Sequence, residues 1–369
     1  MLPTVCRPDQ LWDLLPDALA GRAVLLPVTS PDDAAPLQPG EPVTEPGAAV
    51  IVTTSGSTGT PKGVVLPAAA LLASAAATRV RLGGPMRWYS PLPRHYVAGM
   101  MVLVRALDAG TTPVSTAGDL SDLPPADLDE PRALSIVPTH LHRALDDPGT
   151  TARLAGFDAV LLGGAPAGAD LLARARAAGI SVVTTYGMSE TSGGCVYDGL
   201  ALDGVDVQLD PATGRISIAG PMLFSGYRLA PELTAETLAG GRLLTRDRGE
   251  LVDGRLRISG RIDDVVISGG VNVDLAEVQR RLGLADPDPG AGHQHVVLGV
   301  PDPEWGTRIV LVTDSDEADL AGWRDRLAAT GLGREALPRQ VVTVVRLPRT
   351  ASGKIDRRAL AAVVTADRA

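Results

Sequence analysis

The sequence predicts an α/β protein: a large N-terminal α/β domain over residues 1–262 with a β-rich subdomain, then a small α+β domain over residues 263–369. Three observations carry this. From Ala48, short β-rich runs alternate with Ala/Leu-rich stretches of helical length, the pattern of a parallel sheet with crossover helices. Between Val205 and Ser259 the helical signal fades into hairpin-like runs. From Asp264 the order strand, helix, strand, strand, helix, strand, helix fills about a hundred residues, enough for an independent unit.

Residues 1–47 are rich in Pro, Asp and Ala, with one helix expected around Leu11 to Leu19 and a strand at Ala23 to Val28. No chemistry is readable there. Next come a strand at Ala48 to Thr53, a loop, a helix at Ala68 to Arg81, a strand at Arg87 to Ser90 and an apolar helix from Val97 to Asp108. Strands at Thr112 to Ser115, Leu134 to Val137, Ala159 to Leu162 and Val182 to Thr185 alternate with helices starting near Thr139 and Gly168. Ligands of such sheets collect at the carboxyl ends of the strands, which singles out the loops after Thr53, Val137, Leu162 and Thr185. Asp-Pro-Ala-Thr-Gly between Val205–Leu209 and Arg215–Ala219 reads as a hairpin turn. The domain boundary is expected within Gly260-Arg261-Ile262-Asp263.

Composition narrows the function. A net charge of −9 and an aromatic share of 3% argue against a nucleic-acid surface. The apolar stretch Val97 to Leu107 is broken by Arg105, so no membrane span is expected, and the N-terminus lacks the pattern of a secretion signal. Cys6 and Cys195 have neither CxxC spacing nor partner histidines, which fits a reducing cytoplasm and no zinc site. Of 34 basic residues only two are lysines, Lys62 and Lys354, each in a glycine-containing loop. A compact ammonium can follow a moving oxygen, whereas a guanidinium fork prefers a fixed planar partner.

Thr53-Thr54-Ser55-Gly56-Ser57-Thr58-Gly59-Thr60-Pro61-Lys62-Gly63 follows a strand and combines hydroxyls, glycines and one lysine. Small residues let backbone N–H groups approach phosphate oxygens, and the ammonium adds charge. The loop is not that of P-loop NTPases, because Pro61 precedes the lysine and Gly63 follows it. It resembles the signature loop of the adenylate-forming superfamily, which includes acyl-CoA synthetases. Further motifs agree in order: Leu162-Gly163-Gly164-Ala165-Pro166, Thr185-Tyr186-Gly187-Met188-Ser189-Glu190-Thr191, Leu243-Leu244-Thr245-Arg246-Asp247, Gly260-Arg261-Ile262-Asp263-Asp264 with Ser268-Gly269-Gly270, and Leu347-Pro348-Arg349-Thr350-Ala351-Ser352-Gly353-Lys354. Two departures stand out: Ser189 replaces a threonine, and Arg246 replaces the glycine of a Thr-Gly-Asp element.

The resemblance implies the adenylate-forming enzyme fold with a mobile C-terminal lid, and ATP, magnesium and coenzyme A as partners in activating a small-molecule carboxylate. It assigns Thr54, Ser55, Gly56, Ser57, Thr58, Gly59 and Lys62 to the phosphates, and Gly163, Gly164, Ala165, Tyr186, Gly187 and Ser189 to the adenine and phosphate side. Glu190 would hold magnesium, Asp247 the ribose hydroxyls, and Arg261 the ribose or phosphate region. Asp263 would be the hinge, Gly269 and Gly270 would line the coenzyme A tunnel, and Lys354 would be the catalytic lysine of adenylation.

The acyl pocket is less legible: Arg94, His95 and Tyr96 lie near the register of the family's His-x-x-Gly, and Arg94 or His95 reads either as the reader of a second carboxylate or as solvated loop. Only 53 residues precede the phosphate loop. That short start, together with Tyr186 to Gly199 and Arg81-Leu82-Gly83-Gly84-Pro85, is similar to the short o-succinylbenzoate-CoA ligases of menaquinone synthesis. Another aryl- or fatty-acyl-CoA ligase, and a nucleotide-binding regulator without turnover, stay open as alternatives. Oligomeric state is open, a homodimer included.

Overall fold

Buried aliphatic runs, with few rings among them, build the sheets of this chain. A computed structural model describes residues 1–55, 61–126, 129–287, 293–315, 319–349 and 355–366. They form two compact units: residues 1–208, 217–245 and 251–257, and residues 209–216, 246–250 and 258–369. The β-rich stretch is thus shared between the two.

In the first unit a five-stranded sheet runs Thr4–Cys6, Leu25–Pro27, Ala48–Ser55, Pro61–Pro67, Gly226–Tyr227. Its first three strands are parallel; the last two are antiparallel to their neighbours. The segment without readable chemistry therefore supplies two strands, and carbonyls of Leu37, Gln38, Glu41 and Pro42 accept from the buried Arg228 guanidinium. The all-parallel expectation fails here. Val64-Val65-Leu66 is a buried β-run, and Pro61 is tolerated because it is the first residue of its strand. Lys62 consequently sits on a strand opposite Thr54, not in a loop.

The second sheet has seven strands in the order Leu200–Ala201, Gly193–Tyr197, Val182–Met188, Ala159–Leu162, Arg132–Ile136, Arg87–Ser90, Val114–Ser115. The last five are parallel, and all their connections except that from Val114–Ser115 to Arg132–Ile136 pass through helices, largely as the alternation predicted. Helices Ala68–Arg81 and Val97–Ala109 pack on each other, Trp88, Val102, Ala106 and Tyr197 filling one face of the sheet. Leu134, Ile136, Phe157, Val160 and Leu162 fill the other. The strand that opens at Val182 runs to Met188, three residues beyond expectation, because it pairs antiparallel with Gly193–Tyr197.

The second unit opens on a hairpin, Val265–Ser268 with Val271–Asp274, where a single strand was expected. Its sheet continues through Gly306–Thr313 and His295–Asp302, with Gln340–Thr343 pairing parallel to Gly306–Thr313. Successive residues of a strand point to opposite faces. Ile309 and Leu311 thus join Val278, Leu282, Trp323 and Leu327 on one face, and Val310 and Val312 join Leu360 and Val364 on the other. Helices Leu275–Ala285 and Leu320–Ala329 start at Asp274 and Asp319, whose carboxylates accept two backbone N–H groups each. Among the described residues, no helix is long and apolar enough to cross a membrane.

Candidate active site

The parallel strands of the second sheet all end on one edge, so its loops gather there whatever their distance in sequence. Gly163, Gly164 and Ala165 follow the strand ending at Leu162, and Tyr186 and Gly187 end the neighbouring strand. The two segments touch: a Cβ at Gly163 would lie 2.4 Å from Thr185 Oγ1, and the Thr185 hydroxyl donates to the Leu162 carbonyl at 3.3 Å. Gly187 lies opposite Gly194, where a Cβ would meet the Gly193 carbonyl oxygen at 2.1 Å. At Gly187 the clash is with backbone and glycine is required; at Gly163 it is with the Thr185 hydroxyl. Tyr186 is half-buried and Ala165 exposed.

A 3-10 turn, Ser189–Thr191, carries Ser189 and Glu190 away from that edge toward the first sheet. The Thr191 hydroxyl holds the turn, accepting from Met188 N at 2.9 Å and donating to the Gly193 carbonyl at 2.7 Å. The Glu190 carboxylate accepts the Tyr227 hydroxyl at 2.7 Å, and its backbone carbonyl accepts Phe224 N at 2.9 Å. The Lys62 ammonium lies over the Tyr227 ring, 5.6 Å from its centroid. Lys62, Tyr227 and Glu190 therefore form one cluster, drawn from three remote parts of the sequence. Thr54 pairs with Lys62 across the strands, its hydroxyl 3.5 Å from the Lys62 carbonyl. Ser55 ends its strand; Gly56, Ser57, Thr58 and Gly59 lie outside the described residues.

Arg94, His95 and Tyr96 follow the strand ending at Ser90, three interstrand steps from Val182–Met188. At about 4.8 Å per step that is roughly 14 Å along the same edge. Arg94 donates to Ser115 Oγ at 2.7 Å. His95 stacks at a tilt on Tyr96, the ring centroids 4.1 Å apart, and its Nδ1 is buried with no hydrogen-bond partner among the described residues. Burial lowers the His95 pKa, opposed weakly by the Asp33 carboxylate, so the imidazole is neutral near pH 7. Of the two candidates for a second carboxylate, Arg94 alone brings a charge.

Asp247, Arg261 and Asp263 meet within the second unit. Arg261 reaches Asp263 at 2.9 Å and Asp247 at 3.4 Å, and Arg246 approaches Asp263 at 3.6 Å. Burial pushes the Asp263 pKa up, but the hydrogen bond and charge of Arg261, helped by Arg246, outweigh it and hold the carboxyl below its ordinary value. The Arg246 that stands where glycine was expected thus has a partner. Asp263 lies in a 3-10 turn, Ile262–Asp264. Gly269 and Gly270 are the two-residue turn between Ser268 and Val271, with φ of +60° and +80°. A turn of this kind demands left-handed residues, which accounts for both glycines by itself. Trp305 packs under Gly269, and Arg339 stacks on its ring at 3.7 Å. Lys354 lies outside the described residues.

Both thiols are free and buried, and burial pushes Cys6 up to about 11 and Cys195 up to about 12, so neither is a nucleophile at neutral pH. Sequence reasoning missed Tyr227. No motif surrounds it, and its place follows from pairing with Val64 in a strand remote in sequence.

The family described as AMP-binding enzyme matches residues 15–231. A probable 2-succinylbenzoate-CoA ligase of Mycobacterium tuberculosis is 44% identical over 328 residues, covering 85% of this chain and 83% of that protein. A feruloyl-CoA synthase of Amycolatopsis is 32% identical, covering 91% and 74%. The fold is shared with o-succinylbenzoate CoA synthetase from Bacillus subtilis, solved in complex with its acyl-adenylate intermediate, at a TM-score of 0.73 and 24% identity over 97% of this chain and 82% of that one.

Proposed function

Because this chain belongs to the AMP-binding enzyme family, we propose that it is an ATP-dependent ligase joining o-succinylbenzoate to coenzyme A through an acyl-adenylate, releasing AMP and pyrophosphate, as a step of menaquinone synthesis in the cytoplasm. The observation that carries the substrate is the 44% identity to a probable 2-succinylbenzoate-CoA ligase across most of both chains.

In the first half-reaction a carboxylate oxygen attacks the α-phosphorus of ATP and the bond to pyrophosphate breaks. Charge accumulates around one phosphorus, so positioning and electrostatics dominate. Lys62, with the segment from Thr54 to Gly59, holds the β- and γ-phosphates; Lys354 bridges the attacking carboxylate and the α-phosphate. At an effective dielectric near 20, an ammonium about 4 Å from an anion contributes on the order of 4 kcal/mol before desolvation. Gly163, Gly164, Ala165, Tyr186 and Gly187 flank adenine, Ser189 contacts phosphate, and Asp247 with Arg261 takes the ribose side. In the second half-reaction the thiol sulfur attacks the acyl carbonyl and AMP leaves; residues 263–369 turn about Asp263, withdrawing Lys354 and presenting Gly269-Gly270 to the thiol arm.

Magnesium suits the residues present. Glu190 offers a hard carboxylate oxygen, Oε2, that its bond to Tyr227 does not use, and this ion binds through one or two carboxylates plus substrate phosphates. Among the described residues no group of three acidic, histidine or cysteine side chains could hold a metal alone. Bound there, it would neutralise phosphate charge.

Pyrophosphate release and thioester formation, measured with o-succinylbenzoate, benzoate, ferulate, a medium-chain fatty acid and amino acids, test the reading. It expects o-succinylbenzoate to give the highest kcat/KM. An equal or higher value for ferulate or the fatty acid overturns the substrate, and no pyrophosphate with any acid overturns the ligase.

A further inference from the structure

We propose that Tyr227 is a positioning residue that keeps the Lys62 ammonium and the Glu190 carboxylate apart, one on its ring face and one on its hydroxyl. The proposal rests on reading Glu190 as the carboxylate that meets the metal ion carried by ATP.

A lysine and a glutamate side by side ordinarily close into an ion pair, each cancelling the charge that the other would offer a ligand. Here each meets the same phenol instead, the ammonium over its ring and the carboxylate at its hydroxyl. Tyr227 lies opposite Val64 in an antiparallel pair, and Lys62, two residues along from Val64, shares its face of the strand. The ammonium therefore reaches the ring diagonally, at 5.6 Å from the centroid, where the negative π-face attracts it. The hydroxyl donates to Glu190 Oε1 at 2.7 Å, a charge-assisted bond that fixes one carboxylate oxygen.

The tyrosine is itself anchored on every side. Its backbone N–H donates to Thr234 Oγ1 at 2.8 Å, Phe224 meets its ring edge-on at 5.0 Å, and the next residue, Arg228, is 4% exposed with its guanidinium on backbone carbonyls. The same short segment grips the turn that carries Glu190. Phe224 N donates to the Glu190 carbonyl at 2.9 Å, and Ser192 Oγ donates to the Met222 carbonyl at 2.8 Å. Backbone and carboxylate of Glu190 are thus both placed from residues 222–227. Tyr227 touches neither nucleotide nor acid in this reading; it acts by setting where two charges stand.

The test is equilibrium binding of ATP by calorimetry, with magnesium and again in EDTA, for wild type, Tyr227→Phe, Glu190→Gln and the double variant. Tyr227→Phe keeps the ring and loses only the hydroxyl. It is expected to weaken ATP binding in magnesium by roughly tenfold or more, the scale of a lost hydrogen bond to a charged group. The EDTA value should stay within about twofold, and the double variant should be no worse than Glu190→Gln, the signature of residues acting through one another. If Glu190→Gln loses the magnesium dependence and Tyr227→Phe keeps it, the positioning role fails while the reading of Glu190 stands. If neither variant changes it, that reading fails and the proposal with it. An additive double variant also overturns the proposal. Should Tyr227→Phe not fold, Glu190→Asp, which draws the carboxylate back from the hydroxyl, replaces it with the same expected loss.

Discussion

The two charged clusters in this chain are held by opposite means. In the first unit, Lys62 and Glu190 both meet Tyr227, a 7%-exposed side chain whose position follows from strand register. In the second, Arg246, Asp247, Arg261 and Asp263 hold one another directly, through ion pairs between mostly part-exposed side chains. Ion pairs between exposed side chains contribute little and weaken with salt, whereas a hydroxyl bond backed by packing is less affected. A cluster that must keep its shape is built on a scaffold. One placed at a proposed hinge is built from partners that can be exchanged.

The largest effect belongs to Lys354, which the family resemblance places in adenylation alone. Lys354→Ala should cut pyrophosphate release by about 100- to 1,000-fold, the usual cost of a preorganised charge contact. Thioester formation from supplied acyl-adenylate should persist; a parallel loss in both would dissolve the division between two half-reactions. Asp247→Ala sharpens the comparison next. It removes the proposed ribose ligand and one of Arg261's two carboxylates, so KM for ATP should rise about tenfold or more, and an unchanged KM would take Asp247 out of the nucleotide site.

Arg94→Ala should raise KM for o-succinylbenzoate by about tenfold, the cost of a lost charge-assisted bond, and leave benzoate unaffected. His95→Gln should do less, because burial keeps that imidazole neutral at pH 7. The reverse ranking would move the second carboxylate onto the histidine. The smallest effect is expected at Arg246. An exposed ion pair contributes about 0–1 kcal/mol, so Arg246→Gly should lower Tm by no more than about 2–4 °C. Its pH dependence is the sharper readout. Asp263 has a lowered folded-state pKa, so the stability it brings is present above its unfolded value near 3.9 and is lost as pH falls through the folded one. The Tm difference between Arg246→Gly and wild type should therefore vanish in acid. A difference that survives would locate the effect in backbone freedom at residue 246.

Much of the local structure was legible. The helix Ala68–Arg81 and the strands Arg87–Ser90 and Ala159–Leu162 have the expected bounds, because each is a run whose periodicity is complete within itself. The chain entered the right family from its motifs, since a phosphate loop must carry small residues and a lysine in close sequence. Other elements were not legible. The strand Pro61–Pro67, the extension from Thr185 to Met188 and the second strand of the hairpin Val265–Asp274 are stabilised by antiparallel partners, and a partner cannot be read from one strand's own pattern.

The sequence by itself determined which residues alternate, which turns need glycine and which charges could meet a phosphate, all matters of neighbours in the chain. The tertiary structure alone decided that Tyr227 meets both Lys62 and Glu190, and that Arg246 has Asp263 for a partner. Hydrophobic periodicity selects the face of each strand; which remote strand lies beside it, and in what register, is chosen by packing and backbone pairing over the whole sheet. A side chain that works by separating two others is therefore recognisable only once all three have been brought together.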